Sequence, residues 1–224
     1  MLESLDNPIW FALTTEHRSL ACSHGFARRY LPDVSPVAAL LHPTNDAFGD
    51  LQGLITPGER VALFTASPLD VPGGWLVDRS RRIDQMICGV SLEPPHLSPV
   101  ALGTTDVPEM LALAAATEPG PFLPQTILMG RYFGMRASDG RLVAMAGERL
   151  QSPAFSEISA VCTHPEFRGR GYARALVAFL TARILAAGKT PFLHVKSENG
   201  AKAVYHKIGF RLRAAMYLTV ISVC

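Results

Sequence analysis

The chain has 224 residues and a formal net charge of +2. That length allows one large domain or two of about a hundred residues each. So small a charge gives no reason to expect nucleic acid or an anionic membrane as the main partner, and no window of about 18 uninterrupted apolar residues marks a membrane span.

The N-terminus, MLESLDNPIWF, holds two acids and no basic region ahead of an apolar one, so no secretory signal is expected. Residues 10–21 and 36–46 show helical patches, and ERVALFT, residues 59–65, reads as a buried strand. SPLDVPGG is loop chemistry, and RRIDQMICGV, residues 81–90, reads as a second strand. EPPHLSPV, residues 93–100, places three prolines in eight residues and is the best candidate for an interdomain linker. The resulting division is 1–95, a linker at 96–104, and 105–224.

After the linker the signals sharpen. Thr105 and Asp106 precede VPEMLALAAAT, a capped helix with Pro108 in its first turn. Asp139-Gly140 lies between two apolar-rich runs and signals a hairpin. FSEISAVCTHP reads as the next strand. Ala173, Leu176, Val177, Leu180 and Ile184 then recur at helical spacing, with Gly188 as the stop. TPFLHVKS is a strand, ENGAKAVYHKIGF a short helix ending at Gly209, and FRLRAAMYLTVIS one or two last strands. Helix, hairpin, strand, helix, strand, helix, strand describes an α/β or α+β domain with a mixed sheet. No sequence repeat is visible.

The chemistry concentrates in HPEFRGRGYARAL, between a strand and a helix. Glycines let a backbone bend sharply and approach a ligand. The first turn of a helix leaves N–H groups unpaired, and with the helix dipole they form an anion site suited to phosphate. Arg168 and Arg170 add positive charge. The turn is therefore built for a pyrophosphate. It lacks the GxxxxGK[ST] order of a P-loop and the third glycine of a dinucleotide fingerprint.

The pattern Arg168-x-x-Gly171-x-Ala173 resembles the acetyl-CoA signature of the GNAT acetyltransferase superfamily, and AVYHKIGF resembles that family's usual ending. The resemblance covers about residues 105–224. The thread THPEFRGRGYARALV, FLHV and VYHKIGF is similar to the glycine N-acyltransferase-like branch, which commonly carries a degenerate N-terminal half. The resemblance implies a GNAT-like mixed central sheet flanked by helices, with residues 1–95 as that half. It implies an acyl-CoA-dependent N-acyltransferase that moves acetyl from acetyl-CoA to a primary amine by direct attack, with no metal. A small amine, an amino acid and a peptide N-terminus stay open as acceptors. The alternative is a CoA-binding or interaction module without catalysis.

Residue by residue, the resemblance places the pyrophosphate on Arg168, Gly169, Arg170, Gly171, Tyr172 and Ala173. The backbone of Val161, Cys162 and Thr163 pairs with the pantetheine arm. Tyr205 donates a proton to the departing thiolate, a task suited to a phenol. Glu157 is the candidate general base, with His164, His194 and His206 as substitutes. The family's usual asparagine position holds Glu198, so Asn199 is carried over only as a displaced match, equally readable as a helix cap. Cys22, Cys88, Cys162 and Cys224 lie far apart, without metal-ligand spacing. Reduced thiols in a cytoplasmic protein are expected.

Overall fold

The computed structural model describes residues 2–90 and 97–224. Residues 91–96, where the expected linker begins, lie outside the described residues. The N-terminal part contains α1 (Pro8–Thr14), β1 (Ala21–His24), β2 (Ala27–Tyr30), β3 (Val37–Leu40), α2 (Asn45–Gln52), β4 (Arg60–Thr65) and β5 (Trp75–Ile87). The remainder contains β6 (Val100–Leu102), α3 (Val107–Thr117), β7 (Tyr132–Arg136), β8 (Leu142–Gln151), β9 (Phe155–Thr163), α4 (Tyr172–Ala186), β10 (Thr190–Lys196), α5 (Lys202–Ile208) and β11 (Arg211–Val223).

The eleven strands of the described residues form one mixed sheet, in the order β1-β2-β3-β4-β11-β5-β10-β9-β8-β7-β6. Two neighbouring pairs are parallel, β3 with β4 and β9 with β10. Each is joined through a helix, as a parallel pair requires. The same order of pairings therefore occurs twice: three antiparallel strands, a helix, and a parallel strand. β1-β2-β3-α2-β4 matches β7-β8-β9-α4-β10. The last strands are exchanged. β5 runs beside β10, and β11 runs beside β4.

Helices cover both faces, so several strands are apolar without alternation. α4 buries Ala175, Leu176, Leu180 and Ile184 against Val143, Ile158 and Val195. On the opposite face Ile9 and Leu13 of α1 pack with Phe155 and Phe192. Met110 and Leu113 of α3 pack on Leu142 and Met145.

Several N-terminal expectations are corrected. The helix expected over 10–21 ends at Thr14, and β1 begins at Ala21. The helix expected over 36–46 is strand β3 followed by α2. Val37, Ala38, Ala39 and Leu40 are buried on both faces between β2 and β4, and a run of small apolar residues serves such a strand as well as a helix. Pro43 then disfavours helix at the preceding residue, and Thr44 starts α2 as its N-cap. Part of the expected linker, Val100–Leu102, is strand β6, paired with β7. The last segment is one strand of 13 residues, β11.

Candidate active site

β9 and β10 are paired over only three positions, Phe155 with Thr190, Ser156 with Pro191, and Glu157 with Phe192. β9 continues to Thr163 and β10 to Lys196, so the two strands splay. Splayed parallel strands expose backbone donors and acceptors to whatever lies between them. β9 also carries an extra residue against β8. Met145 pairs with Cys162 and Gly147 with Ser159, and Ala160 has φ 53. A positive φ at a residue with a Cβ is a strained bulge.

A cleft of about 580 Å³ opens at this splay, within the range of ligand sites. Val161, Cys162 and Thr163 line one wall, and Arg168, Gly169, Gly171, Tyr172 and Ala173 form the turn at one end. Asn199, Ala201, Val204, Tyr205 and Lys207 form the other wall. Gly169 and Gly171 have φ 77 and φ 80, which only glycine adopts without strain. Gly171 is the N-cap of α4 and supplies no side-chain cap. The first N–H groups of the helix are thus left for a ligand.

The structure gathers most of the residues singled out in the sequence around one cleft. Arg170, Glu157 and the substitute bases His164, His194 and His206 stand apart from it. Arg170 does not line the cleft, and its guanidinium sits over the Phe167 ring at 4.7 Å. Glu157 does not line it either. Its side chain is 1 % exposed and takes three hydrogen bonds, from Arg149 Nε at 2.8 Å, Arg149 Nη2 at 2.7 Å and His194 Nδ1 at 2.8 Å. Burial raises this carboxyl, but the Arg149 charge and the His194 bond outweigh it and hold it at about 2. A carboxylate held so low accepts a proton poorly at neutral pH.

His194 is fixed in the same network. Gln85 gives its oxygen to Arg213 and points its NH₂ at Leu5 O and His194 Nε2. That nitrogen must accept, so the ring proton sits on Nδ1, facing Glu157. His206 Nδ1 pairs with the Phe210 carbonyl at 3.1 Å. His164 lies 3.7 Å from Glu166.

Tyr205 lines the cleft and is otherwise enclosed, with its ring edge-on to Phe210. Burial pushes its phenol up to about 12. It keeps its proton at neutral pH, and among the described residues its hydroxyl has no hydrogen-bond partner. Asn199 lines the cleft and accepts from Ala201 N at 2.9 Å, but Ala201 is the N-cap of α5, so Asn199 closes a turn ahead of the helix and does not cap it. Burial raises the Cys162 thiol, which disfavours the thiolate a nucleophile needs. All four cysteines are free. No group of three or more candidate metal ligands occurs among the described residues, and no described helix is long and apolar enough to cross a membrane.

Sequence reasoning missed Thr117, Phe167, Arg174, Ala201, Val204 and Lys207 in the lining, and the bulge at Ala160. Arg174 was the most accessible of these, because it follows the turn directly and adds a third arginine near the helix start.

The FR47-like protein family matches residues 132–219, which hold most of the cleft. A structure described as an acetyltransferase from the GNAT family of Novosphingobium aromaticivorans is 39% identical. It superposes with a TM-score of 0.89 over 98% of this chain and 98% of that chain. A GCN5-related N-acetyltransferase from Kribbella flavida has a TM-score of 0.62 at 17% identity, over 96% of this chain and 95% of its own. A GCN5-related N-acetyltransferase-like protein from Streptococcus suis has the same TM-score at 15% identity, over 96% and 93%. The latter two show the fold alone. No curated protein matches the chain. With a relative this similar along its whole length, the chain belongs to the GNAT acetyltransferase family.

Proposed function

We propose that the protein is an N-acyltransferase that moves an acetyl group from acetyl-CoA to a primary amine by direct attack, with no metal. The observation that carries this reading is the cleft at the β9–β10 splay, with a phosphate-holding turn at one end and a proton-holding phenol in its far wall. The groups present suit acetyl-CoA. Gly169, Gly171 and the start of α4 would hold the pyrophosphate, with Arg168, Arg174 and Lys207 adding positive charge. The unpaired edge of β9 at Val161, Cys162 and Thr163 would pair with the pantetheine amides. When bound, acetyl-CoA supplies the activated acyl group.

Tyr205 is the acid that protonates the departing thiolate. Glu157 is left out of proton transfer, because its oxygens are committed to Arg149 and His194. The test is an acetyl-CoA consumption screen across a library of small amines, amino acids and peptides, with a thiol-detecting readout. Thiol release that depends on an added amine is expected. A protein that binds acetyl-CoA and yields no amine-dependent release with any of the three classes overturns the reading.

The turn makes its own prediction. Gly171→Val forces a β-branched residue into φ 80, while its Cβ meets no neighbour within 4 Å. The penalty is therefore backbone strain and lost ligand space, and CoA affinity should fall roughly 10–100-fold. Calorimetric titration of the folded variant checks this, and unchanged affinity would remove the turn from the site.

We place the chain in the glycine N-acyltransferase-like branch, with residues 1–95 as a degenerate half. The duplicated order of strand pairings supports that reading. The N-terminal counterpart of the phosphate turn is Leu41-His42-Pro43-Thr44, which has no glycine. Thr44 caps α2 with its own hydroxyl, taking the N–H of Ala47 at 3.3 Å. A helix start occupied by its own cap offers less to a phosphate. Titration should give one CoA per chain. A stoichiometry of two would contradict it.

A further inference from the structure

The wall of the cleft that carries Tyr205 packs on α4 of its own half, but the loop that leads into it is tied down by the other half. The loop from Ser197 to Ala201 joins β10 to α5 and brings Asn199 and Ala201 to the cleft. Its own hydrogen bonds are local: Asn199 N to Lys196 O, Ala201 N to Asn199 Oδ1, and Lys202 N to Asn199 O. Both its ends are gripped from elsewhere. Asp84 accepts from Ser197 Oγ at 2.7 Å on one oxygen and from Lys202 Nζ at 2.8 Å on the other.

Asp84 lies on β5, in the N-terminal part, more than a hundred residues from either partner. It is 7 % exposed. The sheet fixes its origin on both sides, since it pairs with Val195 of β10 and Ala215 of β11. One carboxylate on a rigid strand therefore clamps the entry and the exit of a short loop whose remaining bonds are turns. Burial raises this carboxyl, but the bonds from Lys202 and Ser197 outweigh it and keep it below its ordinary value. It is a fixed anion at neutral pH.

We propose that Asp84 is a positioning residue that holds the β10–α5 loop in place, so that the N-terminal part of the chain completes the acyl-CoA cleft. The inference rests on reading that cleft as the CoA site. Asp84 does not line the cleft and acts through Ser197 and Lys202, which set Asn199, Ala201 and the start of the Tyr205 helix. The exchanged position of β5 beside β10 then has a consequence for binding: it delivers this carboxylate to the loop.

The experiment uses the full chain, CoA titration by calorimetry, and hydrogen exchange. Asp84→Ala and Lys202→Ala should each weaken CoA binding about tenfold, the scale of one charge-assisted hydrogen bond. Asp84→Ala removes both bonds and Lys202→Ala only one of them, so the double variant should lose no more than Asp84→Ala alone. Lys202→Arg, which keeps the charge, should restore most of the affinity. Amides of residues 198–205 should exchange faster in the alanine variants while those of α4 do not change. If Asp84→Ala does not fold, Asp84→Asn keeps the volume and the Ser197 bond and removes the charge that faces Lys202. Wild-type affinity and exchange in these variants would overturn the clamp alone. Additive losses, or faster exchange throughout α4, would also overturn it by showing general destabilisation. A wild-type chain that does not bind CoA would overturn the reading of the cleft and the clamp with it.

Discussion

Tyr205→Phe is expected to lower turnover by roughly 10²–10⁴-fold while CoA affinity holds, the range for loss of a positioned general acid. The substitution removes one oxygen and keeps the ring, so the edge-on contact with Phe210 survives. Among the described residues the hydroxyl has no hydrogen-bond partner to strand, so stability should barely change. The phenol is suited to the step for a physical reason. At about 12 it is fully protonated at neutral pH, yet it faces the cleft where a thiolate would form. The assay is acetyl-CoA consumption with an amine that supports wild-type turnover, set beside a CoA titration. A loss in kcat with constant affinity supports the acid role. A Tyr205→Phe protein with full turnover would leave Tyr205 as packing.

Legibility divided along the chain, and the reasons are local. The turn ahead of α4 could be read because its geometry is carried by residue types. Gly169 and Gly171 are needed for φ 77 and φ 80, and two such glycines directly ahead of an amphipathic run mark a sharp bend into a helix start. The hairpin at Asp139-Gly140 and the stop at Gly188 were readable on the same grounds. β3 was not readable, since Val37, Ala38, Ala39 and Leu40 are buried on both faces and carry no alternation. The duplicated pairing order leaves no trace in the residues, because two halves can keep a strand order while sharing only its burial pattern. The exchange of β5 and β11 was also hidden, as nothing in a strand names its neighbour. The buried network around Glu157 was hidden for a related reason. The position of Glu157 on the strand could be seen, but Arg149 and His194 lie on the flanking strands and meet it only in the sheet.

Glu157→Gln should therefore act on stability, costing about 3–5 kcal/mol, the range for breaking a buried ion pair by removing one partner. All three groups facing Glu157 are donors: Arg149 Nε, Arg149 Nη2 and His194 Nδ1. A glutamine offers one acceptor oxygen and must turn its NH₂ toward at least one of them. It also leaves Arg149 without a counter-charge next to Phe64, whose ring lies 5.5 Å away. Chemical denaturation measures the loss. The pH dependence follows from the direction of the shift. The Glu157 carboxyl titrates at about 2 in the folded chain against an ordinary 4.5. Its contribution is present above 4.5 and is lost as pH falls from there toward 2. The Gln variant should lack that acid-dependent portion. Replacing the pair together, as Arg149→Met with Glu157→Leu, should recover the part lost to the unpaired Arg149 charge, but not the cost of leaving the buried His194 Nδ1–H without its acceptor. A Glu157→Gln protein of wild-type stability with a shifted acidic limb in its rate profile would instead return Glu157 to proton transfer. The buried network predicts the opposite: a weaker fold, and an acidic limb in the same place.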